Sequence, residues 1–316
     1  MSVKTYDNKK SKFYIQWHIT EVCNLKCKHC YVNKNNYELS FEEITKGINN
    51  VLVPVGNWVD GIDICLSGGE PFLYPYLEEL LLYLKSYKKI NKIMFTTNGT
   101  IINTNLLKKH KEFIGNIQIS LEGSPKNNDI IRGKGVYKII EKNVKLLKGM
   151  GFEISINMTI NKINIGDIDS VISFCLKNNV DYFAVTRMIP IGEDNSIKNF
   201  LLSNEELLKV YQKLKFASEK YKGLKISFGE PLWQSFDNDI GIPCSVGLNG
   251  IAILTDGTIY PCRKLDISIG NFLNDNFTEM WFKSSVLNQI RQNKCIGCRA
   301  MAYALSGNYL AKDPNL

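Results

Sequence analysis

The chain has 316 residues, of which 44% are hydrophobic and 22% charged, with a formal net charge of +8. That length allows one large domain, or a large one with a small companion, and a sizeable core. No run approaches the roughly 18 apolar residues of a membrane span, and the polar start MSVKTYDNKKSK lacks the apolar stretch of a secretory signal; a cytoplasmic protein with no membrane partner is expected.

The elements follow in chain order. FYIQWHIT (13–20) reads as a strand. A helix begins after Ser40, an N-cap followed by acids in the first turn. GIDICLS (61–67) has the look of a strand buried on both faces, LEELLLYLKSY (77–87) of a helix, KIMFTT (92–97) of a strand and NLLKKHKEF of a short helix. NIQISLE (116–122), FEISINMTI and YFAVTRM are strands. They alternate with helices over VYKIIEKNVKLLKGM and IDSVISFCLKNN, and a helix over 204–221 closes the series. Six β–α units predict a parallel sheet flanked by helices. They are too few for a closed eight-fold barrel, so an open partial barrel over 13–222 is expected, with its site after the C-terminal ends of the strands. From about 223 to 316 the pattern changes to three glycine-punctuated strands, a hairpin turn at Asp256-Gly257 and a helix over FTEMWFKSSVLNQIRQ. This reads as a small α+β module.

Nine cysteines are many for a reducing compartment, and an odd number argues against a disulfide framework. Metal or cluster ligation is the better prior where spacing supports it. Only five basic residues are arginine (132, 187, 263, 291 and 299). Nucleic-acid surfaces draw on arginine's planar fork, so a solvated lysine surface is expected, not a nucleic-acid partner. Cys23, Cys27 and Cys30 form C-x3-C-x2-C directly after the first strand. Three thiolates cannot close a tetrahedral zinc site, and His29 adjoins Cys30, which makes it an awkward fourth ligand. An iron–sulfur cluster with one iron open is the sharper reading. Four more cysteines lie near the C-terminal end: Cys244 and Cys262 bracket the hairpin, and Cys295 and Cys298 form a CxxC loop. They can converge on one centre, either zinc or iron–sulfur. Cys65 and Cys175 read as core thiols, and His18 and His110 as structural or exposed. Trp233, Phe236 and Tyr260 read as core aromatics that could also line a pocket.

CNLKCKHCY (23–31) resembles the signature of the radical S-adenosylmethionine (radical SAM) enzymes, whose expected fold is the partial (β/α)6 TIM-like barrel outlined above. The resemblance implies that the three cysteines hold a [4Fe-4S] cluster whose fourth iron is chelated by S-adenosylmethionine. Reduction then yields a 5′-deoxyadenosyl radical that abstracts hydrogen, inside a barrel expected to be apolar. His29 becomes a spacer. SGGEP (67–71) resembles the family's GGE motif, which makes Gly68, Gly69 and Glu70 cofactor contacts, with Glu70 accepting from the cofactor's ammonium. Ser120 and Glu122, at the end of the fourth strand, resemble residues that bind the ribose or carboxylate. Asn98 is either a turn asparagine or a contact. Asn157, at the end of the fifth strand, joins the set. Arg187, a charge in the apolar sixth strand, needs a carboxylate partner, either the cofactor's or a structural one. IIRGKG, with Arg132, resembles a loop of the family's peptide and small-molecule branches. The C-terminal cysteines resemble the Twitch and SPASM modules, and four ligands (Cys244, Cys262, Cys295 and Cys298) imply one auxiliary [4Fe-4S] cluster.

The activity this implies is hydrogen abstraction from a ribosomally made peptide, leading to a crosslink, an epimerised residue or a related modification. The alternative is oxidation of a small molecule such as a sugar or a tetrapyrrole side chain. A reducing partner such as ferredoxin or flavodoxin is implied; since only about 20 residues precede the cysteine loop, a peptide substrate would be presented either by a separate peptide-recognition protein or by none. No catalytic acid or base is identified.

Overall fold

A computed structural model describes residues 12–32, 38–191, 195–234, 236–237, 244–293 and 297–315. The strands are β1 (Lys12–Thr20), β2 (Gly61–Gly68), β3 (Ile90–Thr97), β4 (Ile114–Ser120), β5 (Ile154–Ile160), β6 (Tyr182–Arg187), β7 (Lys225–Ser227), β8 (Gly250–Ile253), β9 (Thr258–Tyr260) and β10 (Gly270–Asn271). The helices are α1 (Phe41–Trp58), α2 (Leu77–Lys85), α3 (Thr104–Lys109), α4 (Pro125–Arg132), α5 (Val136–Gly149), α6 (Ile168–Lys177), α7 (Asn204–Lys220), α8 (Pro231–Gln234), α9 (Phe277–Lys283), α10 (Ser285–Gln292) and α11 (Arg299–Ser306). None of the described helices is long and apolar enough to cross a membrane.

The strands form one sheet in the order β10-β9-β8-β1-β2-β3-β4-β5-β6-β7. Pairing is parallel from β8 through β7, and the β8–β9 hairpin and β10 are antiparallel. The fold is therefore α/β, a partial TIM-like barrel with a C-terminal module. Two details go beyond the sequence reading. β7, at the start of the expected module, adds a seventh parallel strand to the barrel. At the other end β8 pairs with β1, so the module continues the barrel's own sheet.

The local reasons are visible in the chain. Ser40 and Glu43 form a full capping box on α1. The predicted helix over 277–292 is two helices, because the Ser284 side chain caps Leu287 N and restarts the chain in a new direction. α4 occupies a stretch to which the sequence reading gave no element, and it ends inside the loop read as IIRGKG; Pro125 at its first turn suits a helix start. Beyond it, Asp129 accepts from Gly135 N and Tyr137 N and shapes the glycine turn.

The expected apolar interior is corrected. Ile15, Trp17, Ile64, Leu66, Ile93, Phe95, Ile117, Ile119, Ile156 and Phe183 are buried in the core that the helices cover. The alternate set faces the other way and is polar, as a period of two requires. Across it Cys65 Sγ meets Thr96 Oγ1 at 3.3 Å, Gln118 donates to Thr96 at 3.4 Å, Ser155 to Asn116 at 2.6 Å and Asn157 to Thr186 at 3.2 Å. The inner face is a hydrogen-bonded lattice. Cys65 and Cys175 are buried, as is Trp233, whose ring packs at a tilt against Phe236 in the core.

Candidate functional site

The cysteine loop leaves β1 at its C-terminal end. Its first turn is held by Glu38, which accepts from Thr20 Oγ1 at 2.6 Å and Glu21 N at 2.7 Å. Gly68 and Gly69 press on the same turn: Gly69 N donates to Thr20 O at 2.7 Å and Glu70 N to Val22 O at 2.8 Å. A Cβ on Gly68 would lie 2.3 Å from Thr20 O, and one on Gly69 2.3 Å from Val22 O. Any other residue would push the cysteine loop away, which is the physical need for two glycines here.

The Glu70 side chain turns inward. It is fully buried and accepts from Thr97 Oγ1 at 2.7 Å, Asn98 N at 2.9 Å and Phe72 N at 3.2 Å. Burial raises its carboxyl to about 7 against these donors. It braces the turn after β3 with its carboxylate, and its backbone, not its side chain, meets the cysteine loop. Asn98 Nδ2 donates to Asn24 Oδ1 at 2.9 Å and lies 3.7 Å from Cys23 Sγ.

Behind the loop is a buried ion cluster. Glu122 Oε1 accepts from Arg132 at 2.5 Å and lies 3.4 Å from His29 Nε2, while Oε2 accepts from Thr159 N at 2.8 Å. Burial alone would push the Glu122 carboxyl up, but Arg132 and His29 outweigh it and hold it at about 2. His29, expected to be a spacer, is thus an electrostatic partner of Glu122. Arg132 also reaches Cys27 Sγ at 3.9 Å, and Lys28 N donates to Ile131 O at 3.0 Å. α4 therefore backs the loop directly.

Ser120 and Asn157 are register partners on β4 and β5, side by side on the inner face. β4 ends at Ser120, two residues before Glu122, and Asn157 sits mid-strand, not at the end of β5. Arg187, the last residue of β6, is buried and gives its fork to Asp313, at 3.0 and 2.5 Å, and to Asn315 at 2.5 Å. Asp313 is the carboxylate that the charge required, and it comes from the far end of the chain. Asp313 also accepts from Cys298 N at 2.8 Å. A second tie runs from Arg187 N to Glu230 at 2.8 Å and on to Lys264 at 3.2 Å.

Cys262 and Cys298 are free thiols, and Cys262 lies close enough to feel both Cys244 and Cys298 electrostatically. Burial raises Cys262, with Cys244 adding; burial raises Cys298 to about 11, with Cys262 adding and Arg187 opposing. Cys295 lies outside the described residues. Cys23, Cys27 and Cys30 are also free, and no three ligand side chains among the described residues are gathered as a mononuclear metal site gathers them. Three thiols on a loop cradled by glycine backbone fit a cluster held at several corners. Two buried atoms beside that loop, His29 Nδ1 and Arg132 Nε, have no hydrogen-bond partner among the described residues, which fits a polar group seated there.

Sequence reasoning missed His18, Arg263 and Asp313. His18 is buried and accepts from Arg263 Nε at 3.3 Å through Nδ1. Only the position of Arg263, next to Cys262, could have signalled it.

Comparison with known proteins agrees with this geometry. The family model of the Radical SAM superfamily matches residues 17–175, and that of the SPASM iron–sulfur cluster-binding domain matches residues 244–299. An AdoMet-dependent heme synthase of Oleidesulfovibrio alaskensis is 25% identical over 95% of this chain and 86% of its own length. The sporulation killing factor maturation protein SkfB of Bacillus subtilis is 27% identical over 88% of this chain and 68% of its own. In fold, the crystal structure of SuiB from Streptococcus suis bound to S-adenosylmethionine superposes with a TM-score of 0.76 at 17% identity, over 97% of this chain and 77% of that one. The cofactors that go with these domains are S-adenosylmethionine, a radical SAM [4Fe-4S] cluster and auxiliary iron–sulfur. The Radical SAM match spans half of the chain, and the chain belongs to the radical SAM superfamily, with a SPASM-type module at its C-terminal end.

Proposed function

We propose that this radical SAM enzyme oxidises a carboxylate-bearing small molecule, a tetrapyrrole side chain being the best-supported case. The observation that carries the reading is the end-to-end match to the heme synthase, over 95% of this chain and 86% of that protein, against 68% for SkfB. The amides and hydroxyls of the inner face are groups that can hydrogen-bond the carboxylates of such a substrate. When bound, the reduced cluster and S-adenosylmethionine supply a 5′-deoxyadenosyl radical that takes hydrogen from an unactivated C–H bond.

The chain's own residues bind and orient. Cys23, Cys27 and Cys30 hold the first cluster, and the Gly68–Gly69 backbone fixes their loop. Ser120, Asn157 and Asn98 offer polar atoms to the cofactor, while Glu70 and Glu122 stiffen the turns that carry them. Arg187 contributes through its one uncommitted nitrogen, Nε, which is buried without a partner among the described residues. Cys244, Cys262, Cys295 and Cys298 hold the auxiliary cluster, and a ferredoxin or flavodoxin supplies electrons.

A peptide substrate is the second reading. It is favoured by the match to SkfB over 88% of this chain.

The test is anaerobic. Reconstituted enzyme should hold about eight irons, falling to about four when Cys23, Cys27 and Cys30 are changed to Ala. Formation of 5′-deoxyadenosine should rise on adding iron coproporphyrin III. No rise with the porphyrin, together with a rise on adding a precursor peptide encoded beside the gene, would reverse the order of the two readings.

A further inference from the structure

We propose that Arg263 anchors a carboxylate of the substrate and that His18 is the positioning residue that aims it. The proposal rests on the tetrapyrrole reading above and names the contact by which such a substrate is recognised.

The five arginines of the chain are used very differently. Arg132 is spent on Glu122 and Arg187 on Asp313. Arg291 donates to Gly247 O at 2.8 Å and Trp281 O at 2.7 Å and stacks on the Trp281 ring. Arg299 donates to Tyr309 O, Ile290 O and Asn293 O at 3.1, 3.0 and 2.5 Å. Arg263 alone is left with two long contacts, 3.3 Å to His18 Nδ1 and 3.5 Å to Tyr31 O. Among the described residues no carboxylate lies within ion-pair distance of it. A guanidinium carries five N–H donors in a rigid fork, so among the described residues most of this one is unspent.

Its surroundings hold it in place. The guanidinium lies 4.8 Å from the centre of the Tyr31 ring. His18 stands on the inner face of β1 and is only 2% exposed. Its backbone packs on the glycine turn: a Cβ on Gly68 would lie 3.3 Å from His18 Cα. Because Nδ1 accepts from Arg263, the neutral ring carries its proton on Nε2. The pairing of β8 with β1 brings the hairpin that leads into Arg263 to this spot. The unspent fork therefore stands between Tyr31, which follows Cys30, and Cys262. It is a half-buried receptor for a carboxylate at the junction of the two proposed cluster sites.

Two carboxylates could reach it, one on the substrate and one on S-adenosylmethionine; the proposal commits to the substrate's. The holoenzyme is titrated anaerobically with iron coproporphyrin III and with its tetramethyl ester, following the Soret band, and separately with S-adenosylmethionine. Arg263→Gln should weaken binding of the acid by about tenfold or more, the loss of one charge-assisted fork contact. Arg263→Lys should fall between it and the wild type, and the ester's affinity should not move. His18→Gln, which keeps an acceptor for Arg263, should bind the acid better than His18→Leu. An Arg263→Gln enzyme that binds the acid as the wild type does overturns the proposal. So does a loss confined to S-adenosylmethionine, which would give the fork to the cofactor. Equal wild-type affinity for acid and ester leaves the tetrapyrrole reading standing and removes this one. Wild-type enzyme that binds neither removes both.

Discussion

Two buried arginine–carboxylate pairs stand on either side of the candidate site, and they do different jobs with the same chemistry. Glu122 and Arg132 are 10 residues apart and lie within one β–α crossover. Arg187 and Asp313 are 126 residues apart and join the sixth strand to the C-terminal tail. The first pair stiffens the wall behind the cysteine loop. The second ties the tail and the Cys298 loop to the barrel. Burying an ion pair gains little over an apolar pair of the same volume, but losing one partner is costly. The local pair should therefore report on the barrel, and the long-range pair on the docking of the tail.

The largest effect should come from the local pair. Arg132→Gln leaves Glu122 buried against His29 and one amide, and should cost about 3–5 kcal/mol in urea unfolding of the cluster-free protein. A cost near that of a surface substitution would break the comparison. The same pair should appear in a pH series. Glu122 is held at about 2 in the folded state, below its ordinary 4.5. Its contribution is full above pH 4.5 and is lost as pH falls toward about 2. Glu122→Gln should flatten that acid limb of the melting temperature. Glu70, raised by burial to about 7, has the opposite sign. Its contribution is present below pH 4.5 and lost as pH rises through about 7, so Glu70→Gln should flatten the neutral limb. Reversed limbs would contradict the environments described here.

The long-range pair should give a smaller and more local effect. Asp313→Asn keeps one acceptor but strands the Arg187 charge; because the tail can undock and let water reach that charge, the cost should be limited to about 1–3 kcal/mol. Hydrogen exchange should quicken across 297–315 while amides of β2–β4 hold. Exchange spread evenly through the barrel would mean that the tail is part of the core, not a strap on it. The smallest quantity is the coupling between the pairs. A double-mutant cycle of Arg132→Gln with Asp313→Asn should be additive within about 0.5 kcal/mol, since the pairs share no partner.

What was legible in the sequence follows the same divide between local and distant. Strand and helix positions came from periodicity, and the Ser40 cap from residues three apart. The cysteine spacing and the glycine pair could be read because a short loop needs both within its own reach. The α4 helix was lost because PKNNDIIR has little apolar repeat to set against its asparagines. The polar inner face was hidden by runs such as GIDICLS, in which Cys65 and Ser67 pass for apolar neighbours although they face away from Ile64 and Leu66. Asp313 carried no signal, and Arg263 only its place beside Cys262, since each acquires its role from a side chain more than 120 residues away.

The pairing of β8 with β1 sets an order of events for the growing chain. β1 has two neighbours, β2 at residues 61–68 and β8 at residues 250–253. When the first six strands have left the ribosome, one flank of β1, and so of the cysteine loop's own stalk, is still bare. Bare strand flanks recruit other chains. The loop gains its second wall only when residues 250–253 arrive, so the barrel's first strand is finished by a strand made after all its other parallel strands.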